Sequence, residues 1–390
     1  MDFLDWALVC SFGATLSIYI VYLPVLKALT SLTHNPDARS SEKTVRLPNL
    51  SVIVPTYNEA NVIRAKLESL NALSYPKEKC EIIVVDSAST DNTPRIVKEY
   101  RKREVILLEQ GKRMGKANAI NFALQKAKGD IIVLTDANAV FDFDALDKLV
   151  RKFDKNTGAV LPRLVPDGKL SFWDRAFYEF HHLYKSLESD ADSVFIVFGE
   201  LFAFRKELID RIDEDAAADD LEIALTIRKK GYRIRYSSDV EAKEKVPSRQ
   251  KEVRIQRTRR IFGIVQAMVK NFHFFLNPRY GVYGMLIFPT HFFQMTLGPF
   301  FVFTLLILLI EKLCMISFVN LQLLGLPLLV ASLVLLILHF SVGFLEKAVS
   351  LVCNFLATEA YMIIALVNLI RGKKYNVWEK MTSTRNGTEG

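Results

Sequence analysis

The chain has 390 residues, 50% of them hydrophobic, with 24% charged residues, a formal charge of +8 and a mean hydropathy of +0.17. That is too apolar for an ordinary soluble globule and too charged for a chain lying wholly in a bilayer, so a hybrid of the two is expected. The four cysteines (Cys10, Cys80, Cys314, Cys353) have no paired spacing, which points to neither a disulfide framework nor a zinc site.

Residues 6–26 carry no charge, and at about 1.5 Å per residue such a helix covers a hydrocarbon core of about 30 Å. The segment opens with Asp2 and Asp5 instead of a basic region and has no small-x-small cleavage site, so a retained anchor is expected over a cleaved signal peptide. Residues 30–275 then read as a water-soluble domain. "LSVIVPTYNEA" is a strand and loop leading into a helix, and "EIIVVDSAST" repeats the pattern with a strand ending at Asp86. "REVILLEQ" and "GDIIVLTD" are further strands, with the helix "GKANAINFALQKA" between them. This β-α-β-α order predicts an α/β, Rossmann-like, mostly parallel sheet. There is no G-x-G-x-x-G after the first strand and no P-loop, so phosphates are handled by other means.

"VLTDANAV" stops a strand on Asp136 and Asn138. At the tip of a parallel strand two such oxygens could hold a divalent cation, although an isolated D-x-N is more often a helix-capping turn. Asp86 and Asp136 at successive strand ends suit a ligand with a base, a ribose and a metal-bound diphosphate. Farther on, Trp173, Phe177, Tyr178, His181 and His182 fall at helical spacing and read as core or a membrane-docking face, and the histidine pair does not have metal spacing. Asp215, Asp219 and Asp220 precede "GYRIRY" and by themselves read as an acidic first helical turn. Residues 228–260 hold 13 basic and 4 acidic side chains, a solvated face suited to an anionic leaflet.

From residue 280 the chain is apolar again. Residues 280–310 and 313–345 carry no charge, and residues 348–370 carry only Glu359. Pro289 and Pro299 suggest that the first of these runs begins at the interface before crossing. Lys27, Arg39, Lys43 and Arg46 after the first helix place the soluble domain in the cytoplasm. Three further crossings would put the basic tail with Arg371, Lys373 and Lys374 outside, against the same rule. Either residues 280–310 hold two crossings, or residues 348–370 lie at the interface with Glu359 toward water.

"VIVPTYNEANVI", "IIVVDSASTDNT", "KRMGKANAIN", "VLTDANAV", "GELFAFRKEL", "ADDLEIALTIRKKGYRIRY" and "QRTRR" occur in the order and spacing of family 2 glycosyltransferases of GT-A fold. Over about residues 48–262 the chain resembles the membrane-integrated branch of that family, which includes cellulose, chitin and hyaluronan synthases and ceramide glucosyltransferases. The resemblance implies that Pro55, Tyr57, Glu59, Asp86, Lys116 and Asp136 bind the donor. It implies that Asp136 and Asn138 hold Mg2+ or Mn2+, with Asn138 standing where the family has a second Asp. Asp220 is the implied base, a role a partly desolvated carboxylate can fill. Gln256 and Arg259 match the Q-x-x-R-W motif, in which the arginine stabilises the departing diphosphate. Gly199, Asp219 and Arg260 fall on the acceptor side, and Arg260 replaces the tryptophan of that motif. "VWEKMTSTR" loosely resembles a tail segment that folds back to the active site in processive relatives.

The expectation is a membrane-bound inverting glycosyltransferase of hexosyltransferase type. Its anchor spans residues 1–29, its GT-A domain 30–275, a helical membrane block of three or four segments 276–371, and a basic tail 372–390. It is expected at the cell membrane with the catalytic domain cytoplasmic, taking a UDP-sugar and a lipid or lipid-linked acceptor, with no nucleic acid. A processive polysaccharide synthase is the alternative, and an inactive sugar-nucleotide-binding scaffold is the alternative from another class.

Overall fold

The computed structural model describes residues 3–33, 47–101, 105–168, 172–245, 250–320, 332, 344–373 and 375. Its sheet has eight strands: β1 Leu50–Thr56, β2 Cys80–Asp86, β3 Val105–Glu109, β4 Ile131–Thr135, β5 Val140–Phe141, β6 Thr157–Asp167, β7 Leu201–Arg205 and β8 Arg233–Lys245. They lie in the order β3-β2-β1-β4-β7-β6-β8-β5. The first four strands in that order are parallel, as their continuous apolar runs require when both faces are covered. Beyond β4 the sheet is mixed: β7 runs antiparallel to β4 and β6, while β6 and β8 are parallel.

Alternation along β1 feeds two cores. Val52 and Val54 face a layer containing Ile63 and Leu67 of helix α3 (Ala60–Ala72), whereas Ile53 faces Ile120 of α5 (Lys116–Leu124). α4 (Thr93–Glu99) and α6 (Ala145–Val150) complete the first layer, and α8 (Asp219–Lys229) joins the second.

A third core fastens this domain to the apolar helices. Helices α1 (Phe3–Leu16) and α2 (Tyr22–Thr33) are joined by a π-helical turn, and α7 (Phe172–Ala191) packs along α2. α9 (Gln250–Lys270) contributes Phe262 and Val265, α10 (Phe288–Thr296) contributes Phe288, and Leu26 of α2 packs with them. α11 (Gly298–Asn320) and α12 (Phe344–Ile370) follow. Among the described residues three segments are long and apolar enough to cross a membrane: Leu4–Ser31, Gly298–Met315 and Val349–Ile370.

Neither sequence-based alternative for the C-terminal block describes this arrangement. α10 is not a crossing, because Phe288, His291 and Met295 are buried against protein, and the apolar segment in 280–310 begins only at Gly298. Glu359 does not face water. It is 1% exposed and accepts from the Tyr19 hydroxyl at 3.1 and 3.0 Å, as an ionisable group among apolar helices must find an internal partner. Lys312 pairs with Asp5 at 2.6 Å, so α11 runs away from the domain alongside α1. α12 returns to the domain: after it, Tyr375 packs against Phe262 of α9, ring centres 4.6 Å apart and planes tilted by 54°. Tyr375 is thus placed against the catalytic domain. Most of the run 313–345 and the whole of "VWEKMTSTR" lie outside the described residues.

Candidate active site

Strand order alone marks the place. β1 has β2 on one side and β4 on the other, so the chain leaves it in opposite directions and a crevice opens at the carboxyl ends of the strands. The loops there are laced together. The Thr90 amide donates to Asn58 Oδ1 at 2.7 Å, the Glu59 amide to Thr93 Oγ1 at 2.8 Å, and the Ala60 amide to Asp91 Oδ2 at 3.1 Å. Asn58 and Ala88 have φ of 55° and 58°, a left-handed backbone unusual for non-glycine residues and held here by those cross-links.

The turn after β4 is fixed from below. Lys66 of α3, 2% exposed, donates to Thr135 Oγ1 (2.8 Å) and the Ala139 carbonyl (2.7 Å), while Thr135 Oγ1 donates to the Glu200 carbonyl (2.7 Å). Burial lowers the Lys66 ammonium to about 7 against the pull of Asp136. α9 closes the other side. A Cβ on Gly263 would stand 2.8 Å from the Ala218 Cβ and 3.0 Å from Ala217 backbone, so glycine lets the helix press on the chain just before α8. The Ala217 amide also donates to Gln266 at 3.0 Å. This contact brings Gln256, Arg259 and Arg260 of α9 into the same cavity as the first turn of α8.

One cavity is lined by Pro55, Tyr57, Glu59, Lys116, Asp136, Gly199, Asp219, Asp220, Gln256, Arg259 and Arg260. Asp86 and Asn138 stand behind that lining. The Asp86 carboxylate accepts from the Ser89 amide (2.9 Å) and hydroxyl (2.5 Å), and Ser87 lines the cavity beside it. His181 and His182 are outside it. His182 pairs with the Tyr236 hydroxyl at 2.9 Å, and burial lowers its imidazole to about 4, in keeping with packing.

Charge is concentrated at the centre. Lys116 Nζ is 2.8 Å from Asp136 Oδ1 and 3.6 Å from Asp219 Oδ2. Burial alone would lower its pKa, but the carboxylates of Asp136, Asp219 and Asp220 raise it overall. A side chain at position 199 would place its Cβ 3.0 Å from Lys116 Nζ and 3.5 Å from Asp220 Oδ2. Burial, reinforced by the Asp219 charge, pushes the Asp220 carboxyl up to about 7, with Lys116 opposing. Burial and the neighbouring Arg260 lower Arg259 to about 10, so it remains a cation at neutral pH.

Glu200, Glu244 and Phe198 around Arg260, and Arg113 elsewhere in the cavity lining, were not singled out in the sequence. Arg260 reaches Glu200 at 2.8 Å and Glu244 at 3.5 Å, with its guanidinium 5.2 Å over the Phe198 ring. An ion cluster therefore occupies the position where the motif has its tryptophan. Glu244 had a legible signal, since it continues the inward alternation of Val240 and Ala242 along β8. Arg113, stacked 3.9 Å over Tyr57 in the cavity wall, had none.

Asn138 and Asp136 fit a divalent cation. Asn138 is 9% exposed, its Oδ1 has no hydrogen-bond partner among the described residues, and its Nδ2 is 3.4 Å from Glu244. A buried oxygen without a donor, two residues from a carboxylate at the cavity rim, suits an oxygen-seeking ion. No group of three or more His, Cys, Asp or Glu is placed to bind metal among the described residues, so ligand oxygens would complete the shell.

Residues 51–213 match the family described as "Glycosyl transferase family 2". A probable glycosyltransferase of Bacillus subtilis, YdaM, is 30% identical over 233 residues, which is 56% of this chain and 56% of that protein. Poly-beta-1,6-N-acetyl-D-glucosamine synthase of Staphylococcus aureus is 28% identical over 232 residues, 56% of this chain and 54% of that protein. The match thus spans about half the length of these curated relatives. Among solved structures, a mannosyltransferase from Pyrobaculum calidifontis in complex with GDP-Man and Mn2+ superposes with a TM-score of 0.73 at 29% identity, covering 95% of this chain and 99% of that one.

Proposed function

We propose that this chain, whose residues 51–213 match glycosyl transferase family 2, is a membrane-bound inverting hexosyltransferase that adds a single sugar to a membrane lipid or lipid-linked acceptor. The observation that carries this reading is the convergence of Asp136, Lys116, Asp220 and Arg259 on one cavity whose α9 wall packs on α12, a helix long and apolar enough to cross a membrane. The donor is a nucleoside diphosphate sugar. A guanosine diphosphate sugar joins the expected uridine nucleotides as a candidate, because the full-length structural neighbour holds GDP-Man.

In this reading Asp220 accepts the proton of the acceptor hydroxyl as its oxygen attacks the anomeric carbon and the bond from that carbon to the diphosphate breaks. Arg259 and Lys116 take up the charge left on the diphosphate, a task suited to fixed cations in a dry cleft. A divalent cation held by Asp136 and Asn138, as the Mn2+ of the neighbour suggests, would share that neutralisation. The catalytic domain is cytoplasmic and the chain resides in the cell membrane, in keeping with the basic residues after the first apolar helix.

A processive synthase is the second reading, favoured by the Staphylococcus aureus relative. Arg260, clamped between Glu200 and Glu244 in place of the tryptophan of the Q-x-x-R-W motif, favours single addition. The test uses the full chain in lipid nanodiscs with GDP-Man, UDP-Glc and UDP-GlcNAc, each with Mn2+ and an extract of membrane lipids. One donor is expected to raise the melting temperature and to yield a glycolipid one sugar larger. A ladder of long polymers would reject single addition, and no stabilisation by any donor would reject this donor class.

A further inference from the structure

We propose that Glu188 is a positioning residue through which the helices on the lipid side set the acceptor wall of the cavity. Glu188 lies on the inner side of α7 and is 1% exposed. Its Oε1 accepts from the Tyr22 hydroxyl of α2 at 2.9 Å and lies 2.5 Å from His291 Nε2 of α10. Its Oε2 accepts the backbone amide of Phe195 at 2.9 Å.

A carboxylate removed from water persists only where other donors replace it. Here those donors come from an apolar helix able to cross a membrane, from the helix leading into a second one, and from the strand approach that forms the cavity wall. Phe195 stacks on His291 with ring centres 4.5 Å apart and planes at 17°. The residues directly after it, Ile196 through Glu200, line the cavity beside Asp220. One turn earlier on α7, Lys185 stands 4.1 Å over Phe198, a second hold on the same wall. The segment is thus pinned at its start by Glu188, and Glu188 is pinned by α2 and α10. Because a buried carboxylate has so few ways to be satisfied, displacing either helix must move the wall or break one of these bonds.

The test compares Glu188→Gln and Tyr22→Phe with the full-length wild type in lipid nanodiscs. The tyrosine variant removes one hydroxyl and keeps the ring on Tyr184, so it decides the matter if the glutamate variant does not fold. Amide hydrogen exchange over residues 193–200 is expected to quicken about fivefold or more in both variants, with β1 and β4 unchanged. The affinity for GDP and UDP with Mn2+ is expected to stay within about twofold, while kcat for transfer falls about tenfold at constant donor KM. Unchanged exchange over 193–200, or faster exchange spread equally over β1 and β4, would overturn the proposal. Only the kinetic arm rests on the transferase reading. A wild type without transfer would count against that reading, and the exchange arm would still decide the role of Glu188.

Discussion

At the scale of single residues, the site depends on carboxylates whose proton affinity is set by what surrounds them. Asp220 is raised from 3.8 to about 7 by burial and by Asp219. A base must be ionised to accept a proton, so transfer at saturating donor is expected to climb about tenfold per pH unit below 7 and to level off above it. Stability moves in the opposite sense. A carboxyl that binds its proton more tightly when folded adds stability that is present below its unfolded value and is lost as pH rises through about 7. A pH–rate profile flat between pH 5 and 8 would remove Asp220 from the rate-limiting proton transfer. Asp136, Asp220 and Arg259, which line one cavity, were singled out in the sequence by the motifs of the resemblance, because the local patterns alone read as a capping turn, an acidic first turn and a solvated basic face. Lys66 and Glu200 were not, because what makes each matter is a partner far along the chain: Thr135 for Lys66, Arg260 for Glu200. Glu188 is the extreme case, one of four acids on an amphipathic helix and unremarked until Tyr22 and His291 are brought to it.

At the scale of elements, the contact between α9 and the start of α8 decides whether the cations of one helix meet the acids of the other. Gly263 permits it, because any larger residue would drive a Cβ into Ala218 and Ala217. Gly263→Leu is expected to cost about 1–3 kcal/mol as overpacking. Transfer should fall further than that destabilisation explains, because Arg259 and Arg260 would move away from Asp220 with the helix. Melting temperature and kcat measured together check this, and a variant with a lowered melting temperature but wild-type kcat would contradict it. The α/β alternation announced the parallel half of the sheet. The reversal at β7 was not announced, since an apolar strand reads the same in either direction.

At the scale of the whole molecule, the apolar helices and the catalytic domain share one core instead of being tethered by a linker. Leu26, Phe195, Phe262, Phe288 and Ala365 meet in it, joining α2, α9, α10 and α12. Hydropathy could show that residues 280–310 are apolar, but it could not show that α10 covers protein while α11 runs on as an apolar helix. The same limit concealed Glu359, whose partner Tyr19 lies near the other end of the sequence. Once the helices are placed, α11 leaves the domain and α12 returns to it, bringing Tyr375 against Phe262 of α9. That arrangement suits an acceptor delivered from the bilayer to a cleft walled by α9.

Asp220 is the proposed base in a cavity that also gathers Lys116, Asp136 and Arg259. The most direct measurement of that role is sugar transfer by Asp220→Asn and wild type in nanodiscs, alongside calorimetric binding of the donor with Mn2+. Transfer is expected to fall by about two to four orders of magnitude while donor affinity stays within about threefold. Transfer at the wild-type rate by Asp220→Asn would contradict the account.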